Sequence, residues 1–127
     1  MKVLHIVAGD LTQGAARGAY WLHRALRTIG VESSLLTDGR AAPPDAGIVR
    51  PVRTLRQKFN SALSSRLAKI AVSLYRHRED RIFSTGFEGV DFIKHPSYRA
   101  ADVLHLHWIT RLASVRSLSK VRKPVVW

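Results

Sequence analysis

The sequence contains no cysteine. That excludes disulfides and cysteine-held zinc, and it suits a reducing compartment. Acidic residues are also scarce. Nine Asp and Glu stand against 21 Lys and Arg, for a formal net charge of +12 at pH 7. Most of the surplus is arginine. Such a chain is drawn to phosphates, acidic lipids or nucleic acid. A solvated basic surface, balanced elsewhere in a larger protein, accounts for the charge equally well. Long hydrophobic runs are missing, so no stretch reaches the length of a membrane span. The apolar run at residues 1–8 is too short for a signal peptide and reads as a strand. Internal repeats and low-complexity tracts are absent too. What remains is 127 residues of which 46% are hydrophobic. That is enough for one packed core, in one domain or part of one.

Strands and helices alternate along the chain. Residues 2–8 form a strand that is apolar on both faces, through Val3, Leu4, Ile6 and Val7, with His5 between them. A loop over 9–14 leads into a helix over 15–29. Ala15, Ala19, Leu22, Ala25, Leu26 and Ile29 recur there at helical spacing, and Gly30 stops it. A second strand covers 31–37, parallel to the first. Residues 48–52 make a short strand at most, at an edge because of Pro51. Residues 53–78 carry a long helical pattern. Leu55, Phe59, Leu63, Leu67, Ile70 and Leu74 form its apolar stripe, expected to cover the sheet. Residues 81–95 are irregular, and 96–101 make a helical turn. Residues 112–121 form a short helix with Leu112, Val115 and Leu118 on one face. A further strand opens at 123–127.

The run Asp102, Val103, Leu104, His105, Leu106, His107, Trp108, Ile109 has the length of a strand, with Val103, His105 and His107 on one side and Leu104, Leu106 and Trp108 on the other. Covered on both faces, it belongs in a parallel sheet. The expected fold is therefore α/β: a Rossmann-like, doubly wound, mainly parallel sheet with helices on both faces. Ending on Val125, Val126 and Trp127, it is expected to be cut short at its carboxyl end, as the front part of something longer. In this fold the strand after the crossover lies beside the first, and ligands bind at the carboxyl ends of that pair. The loop 9–14 and the segment 107–110 should then line one crevice.

The loop 9–14 precedes a helix start, where free N–H groups and the helix dipole suit an anion. Thr12, Gln13, Gly14 and Ala15 are its candidate contacts, with Arg17 in the first helical turn able to fork onto phosphate or carboxylate. The alternatives are a loop that only turns the chain and a merely exposed arginine. The glycine spacing does not fit a dinucleotide fingerprint, and the Walker lysine is absent. His107, Trp108 and Thr110 are the cleft-lining candidates. His107 is the better placed for ligand contact or general-base work, whereas core roles are favoured for His105 and Trp108. A metal needs a third ligand beside His105 and His107. His5 could supply it, but no acidic ligand is obvious, so no metal ligands and no catalytic residue are assigned. A metal-dependent hydrolase is the weakest reading. Arg53, Arg56, Lys58, Arg66 and Lys69 are candidate contacts to an anionic surface.

Met1 to Ile6 as Met-Lys-Val-Leu-His-Ile, then Gly14, Ala15, Ala16, Arg17, Gly18, Ala19, Tyr20, Trp21, Leu22, His23, Arg24, Ala25 and Leu26, resemble the start of GT-B fold glycosyltransferases of the family 4 type. The 101–109 run followed by Lys123, Pro124, Val125, Val126 and Trp127 is similar to the next signature of that family. Phe83 with Ser84, and His95 with Pro96, also fit. The resemblance spans nearly the whole chain and implies the acceptor-side Rossmann-like domain of a nucleotide-sugar-dependent transferase in polysaccharide or glycolipid assembly. It implies no metal for the chemistry and no cofactor bound by this chain. The nucleotide-sugar donor would be held by a second domain. The loop around Gly14 would meet the acceptor and the donor's diphosphate, and His107 and Trp108 would sit by the cleft. Gln13 replaces a glycine common in relatives. The Thr-Leu-His-Asp-like segment with the family's active-site histidine lies outside these 127 residues, as does the donor-binding domain. The chain alone is therefore expected to transfer no sugar. Expected partners are the missing domain, a sugar or glycolipid acceptor, an anionic membrane surface, and a second copy through the last strand. Nucleic acid is not expected. The expected location is cytoplasmic, with attachment at the inner face of the membrane as a compatible refinement. The competing reading is a basic binding module for anionic lipid or nucleic acid.

Overall fold

The computed structural model describes residues 1–40, 44–51, 55–74, 86 and 89–127. Strands β1 (Lys2–Ile6), β2 (Glu32–Leu36), β3 (Ile48–Val49), β4 (Val103–Leu106) and β5 (Val125–Val126) are joined through helices α1 (Gly14–Thr28), α2 (Leu55–Ser73), α3 (Pro96–Ala100) and α4 (Val115–Leu118), with a 3-10 turn at Phe92–Lys94. The strands form one sheet in the order β3-β2-β1-β4-β5. Every neighbouring pair is parallel. The fold is α/β and Rossmann-like. β1 is central, and the chain crosses from one side of it to the other between β3 and β4.

The two faces of the sheet are covered unequally. Leu4, Ile6, Leu36, Leu104 and Leu106 form one face and bury against Val90, Phe92, Tyr98, Leu112 and Ala113. On the opposite face Val7 and Leu35 pack with Leu11, Ala16, Ala19 and Tyr20. His5 shares that face with Val7, as the two-residue strand repeat requires.

Helix α1 differs from expectation in its phase. Its buried residues are Ala16, Ala19, Tyr20 and His23. Ala15, Leu22, Ala25 and Ile29 are exposed and Leu26 is only partly covered. Small residues let the helix approach the sheet closely, and both large polar rings find partners. The Tyr20 hydroxyl donates to Asp45 at 3.2 Å, and His23 Nδ1 lies 2.8 Å from Ser33 Oγ. The His23 Nε2 has no partner, so that ring is satisfied on one side only; a hydrogen-bonded polar group can still enter a core that bare hydropathy would assign to leucines. Gly30, at φ 82°, closes the helix: Val31 N–H donates to Leu26 O at 3.0 Å, a C-terminal turn that favours glycine.

Helix α2 overturns the expectation of core cover. Phe59, Leu63, Leu67, Ile70 and Leu74 are all exposed, Phe59 by 70%. Ser64, Ser65 and Val72, from the other side of the helix, are the partly buried ones among its described side chains. The apolar surface over β1 and β2 is already filled by α1 on one face, and Phe92, Tyr98 and Leu112 fill the other; the part that α1 leaves open carries the half-buried His105 and His107, so no apolar bed is left for the stripe. The carboxyl-terminal part differs as well. Leu112 is buried but Val115 is exposed. Buried Ser117 takes the inner position, donating to Val90 O at 3.0 Å. β5 lies at an edge and its Val126 is 48% exposed.

Leu104 is fully buried in the larger core cluster. Leu104→Ala should cost about 2–5 kcal/mol, read as a lower urea midpoint at unchanged m-value. A change below about 1 kcal/mol would mean that the β4 face is not packed as described.

Candidate functional site

The order of the strands brings the two predicted segments together. Backbone bonds tie them directly: Ala8 N–H donates to Trp108 O at 2.6 Å and His107 N–H to Ile6 O at 3.0 Å. The 9–14 loop and the 107–110 segment therefore rise from adjacent strand ends, at the position where the strand order reverses.

The loop after β1 is braced from the β2 side. Gly9 N–H donates to Asp38 Oδ1 at 3.1 Å, and Thr37 Oγ1 donates to Gly9 O at 2.9 Å. Gly9 and Gly39 approach so closely that a Cβ on Gly39 would run into the Gly9 carbonyl. Arg50 donates to the carbonyls of Gly39 and Arg40. Thr12, Gln13, Gly14, Ala15 and Arg17 are all exposed. Gln13 caps α1 with its backbone only, and the first turn carries no acidic side chain. The first turn thus brings no carboxylate of its own to the free N–H groups of the helix start. Arg17 lies over the Trp21 ring at 4.6 Å, a cation–π contact that holds the guanidinium on its own helix.

Trp108 stands beyond the last rung of β4 and is 48% exposed. It is a surface residue at the carboxyl edge, not the core residue expected. Ile109 and Thr110 are partly covered. Arg111, which no pattern in the sequence singles out, has φ 64°. A non-glycine residue in this region costs free energy and clusters at functional loops.

The histidines make the most unusual feature of the sheet. The register sets His5 opposite His105, and His107 follows on the same face. Ring centroids are 5.2 Å apart for His5 and His105, 5.3 Å for His5 and His107, and 4.1 Å for His105 and His107. His5 Nδ1 and His107 Nε2 lie 3.1 Å apart. His5 is fully buried, and its Nε2 has no partner. His105 and His107 are half-buried, because α1 covers the β1–β2 side of this face and stops short of β4. One nitrogen from each ring lies within 4.8 Å of the others, so the three could hold a metal ion. His5 was the foreseeable third member; its register was not legible before pairing was known. His23 edges onto His5 at 6.2 Å between centroids.

Burial, then the neighbouring His107, His105 and His23, pushes His5 from 6.5 down to about 3. Burial, then His105, lowers His107 to about 4. Burial alone lowers His105. The rings are therefore neutral at pH 7. A different depression, of about 370 Å³, lies at the amino-terminal edge of the sheet, lined by Lys2, Arg27, Glu32, Ser33 and Ala101 among others. None of the sequence-predicted site residues lines it.

Of the predicted anionic-surface residues, Arg66 and Lys69 are exposed on α2. Arg56 and Lys58 fall within that helix, but their side chains lie outside the described residues, and Arg53 lies outside them altogether. No helix among the described residues is long and apolar enough to cross a membrane. No family model, curated protein or solved structure matches the chain.

The depressed histidine pKa values fix the sign of a pH effect. Between pH 6.5 and about 4 the unfolded chain binds protons that the folded rings refuse, so stability falls as pH falls through that window. His5 alone, lowered to about 3, accounts for about 2 kcal/mol at pH 5. Urea unfolding of chelator-treated protein should show a lower midpoint at pH 5.0 than at pH 7.5. Equal midpoints would mean that the rings are not buried in the folded state.

Proposed function

We propose that this chain is the acceptor-side domain of a nucleotide-sugar-dependent glycosyltransferase of the GT-B, family 4 type. The carrying observation is the juxtaposition of the 9–14 loop and the 107–110 segment at the carboxyl ends of β1 and β4. In parallel α/β sheets that position is where ligands enter. The open start of α1 suits a diphosphate or another anion. Trp108, half-exposed at the same edge, offers a face on which a sugar ring can stack. His107 is neutral at pH 7 and partly exposed at the same strand end, as hydrogen-bonding or base chemistry on an acceptor hydroxyl requires. The donor sugar would be held by a second domain, so residues 1–127 bind without transferring.

The test is a titration of isotope-labelled protein with inorganic diphosphate and with simple sugars, in the presence of chelator. Backbone amides of Gly9, Thr12, Gln13, Gly14 and Thr110 should shift together. Shifts confined to the amino-terminal depression, or none at all, would sink the reading. Sugar transfer by residues 1–127 alone would contradict it as well.

A second reading rests on α2. Its exposed Phe59, Leu63, Leu67, Ile70 and Leu74, with Arg66 at their edge and Lys69 further round, offer apolar and cationic contacts to an anionic membrane surface, on a helix whose overall amphipathicity is weak. This reading is compatible with the first, since a glycolipid acceptor is reached from such a surface. Vesicles containing anionic lipid should sediment the protein in a salt-sensitive way, and neutral vesicles should not. Each cation near such a surface contributes about 1 kcal/mol, so R66Q/K69Q should weaken partitioning roughly thirtyfold. An unchanged partition coefficient would remove α2 from the contact.

A further inference from the structure

We propose that His5, His105 and His107 form a three-imidazole site for a divalent transition cation of the zinc type. The site shares His107 with the proposed acceptor contact, but its geometry does not rest on the glycosyltransferase reading. Its geometry is set by backbone, since parallel pairing places His5 against His105, and the His107 N–H bond to Ile6 O continues that register by two residues. One nitrogen from each ring already lies within 4.8 Å of the other two. The His5–His107 nitrogen separation is 3.1 Å. Two imidazoles on one tetrahedral zinc, with bonds of 2.0–2.1 Å, have nitrogens about 3.3 Å apart. The half-buried His105 ring has only to turn inward to complete a third bond.

The donor set is chemically suited to this class of ion. Imidazole nitrogen is a borderline ligand that prefers zinc, copper, nickel or cobalt over magnesium and calcium, which take oxygen. The rings are neutral at pH 7, which is the ligating form. One fully buried and two half-buried imidazoles meet here with no carboxylate in the cluster. None of the shifts of His5, His105 and His107 is caused by an acidic group, so nothing favours their protonation. A cation would take the place of the proton now shared between His5 Nδ1 and His107 Nε2. Three protein ligands leave a fourth position. It would open to solvent on the uncovered face beside α1, where His105 and His107 are exposed in part.

The test uses chelator-treated, tag-free protein, with Zn²⁺ titrated against a chromogenic competitor and Co²⁺ followed by visible absorption. One Zn²⁺ should bind per chain, and bound Co²⁺ should give the intense bands of a four- or five-coordinate site. H105Q and H107Q leave the buried His5 in place and should each weaken Zn²⁺ binding by more than about tenfold, since loss of a mere supporting contact already costs that much. His95 lies outside the cluster, capping α3 ahead of β4 and accepting from Ser97 N–H. H95N keeps a side-chain acceptor there and should bind as the parent does. The absence of saturable one-to-one binding in the parent protein would overturn the proposal. So would binding that survives unchanged in the H105Q/H107Q double variant. Because chelator is present in the diphosphate and sugar titrations, failure of either result leaves the other standing.

Discussion

The in-register parallel pairing of β1 with β4 is the constraint on which the rest depends. It makes β1 a central strand, with Leu4 and Ile6 fully buried on one face and His5 on the other. It sets the loop after β1 against the segment after β4. It also decides which histidines meet. A one-residue slip would turn His105 and His107 to the opposite face and drive Leu104 and Leu106 toward α1. The crevice and the histidine cluster are thus two consequences of one ladder. Stability and any chemistry at the carboxyl edge draw on the same backbone bonds.

Much of the architecture was legible in the sequence because it rests on local pattern. The 2–8 and 102–109 runs announce strands through period two and length. Pro51 places β3 at an edge, and Gly30 ends α1. The order of the strands followed from the general behaviour of alternating α/β chains. The histidine face followed from the same period, since residues two apart on a strand share a side.

Partner choice was less legible. The stripe of α1 was misjudged because Tyr20 and His23 read as polar, whereas their hydroxyl and ring nitrogen meet Asp45 and Ser33. The stripe of α2 reads as core, yet whether a stripe is buried depends on a vacant apolar bed elsewhere, a property of the whole sheet. Trp108 is apolar enough to read as core, but it follows the last residue of β4 at the carboxyl edge, where its backbone still meets Ala8 while its side chain stays half-exposed. Which nitrogen of His5 goes unpartnered is fixed by three-dimensional placement and has no counterpart in any local pattern.

The close approach of Gly9 and Gly39 couples parts of the chain that are far apart in sequence. Asp38 and Thr37 hold the backbone of Gly9 from one side, while Arg50 holds the carbonyls of Gly39 and Arg40 from the other. The turns after β1 and β2 are therefore fastened into a single body. A molecule that shifts residues 9–14 on arrival must drag the end of β2, and through Arg50 the edge strand β3, along with it. A probe on the outer strand would register an event at the centre of the sheet without touching it.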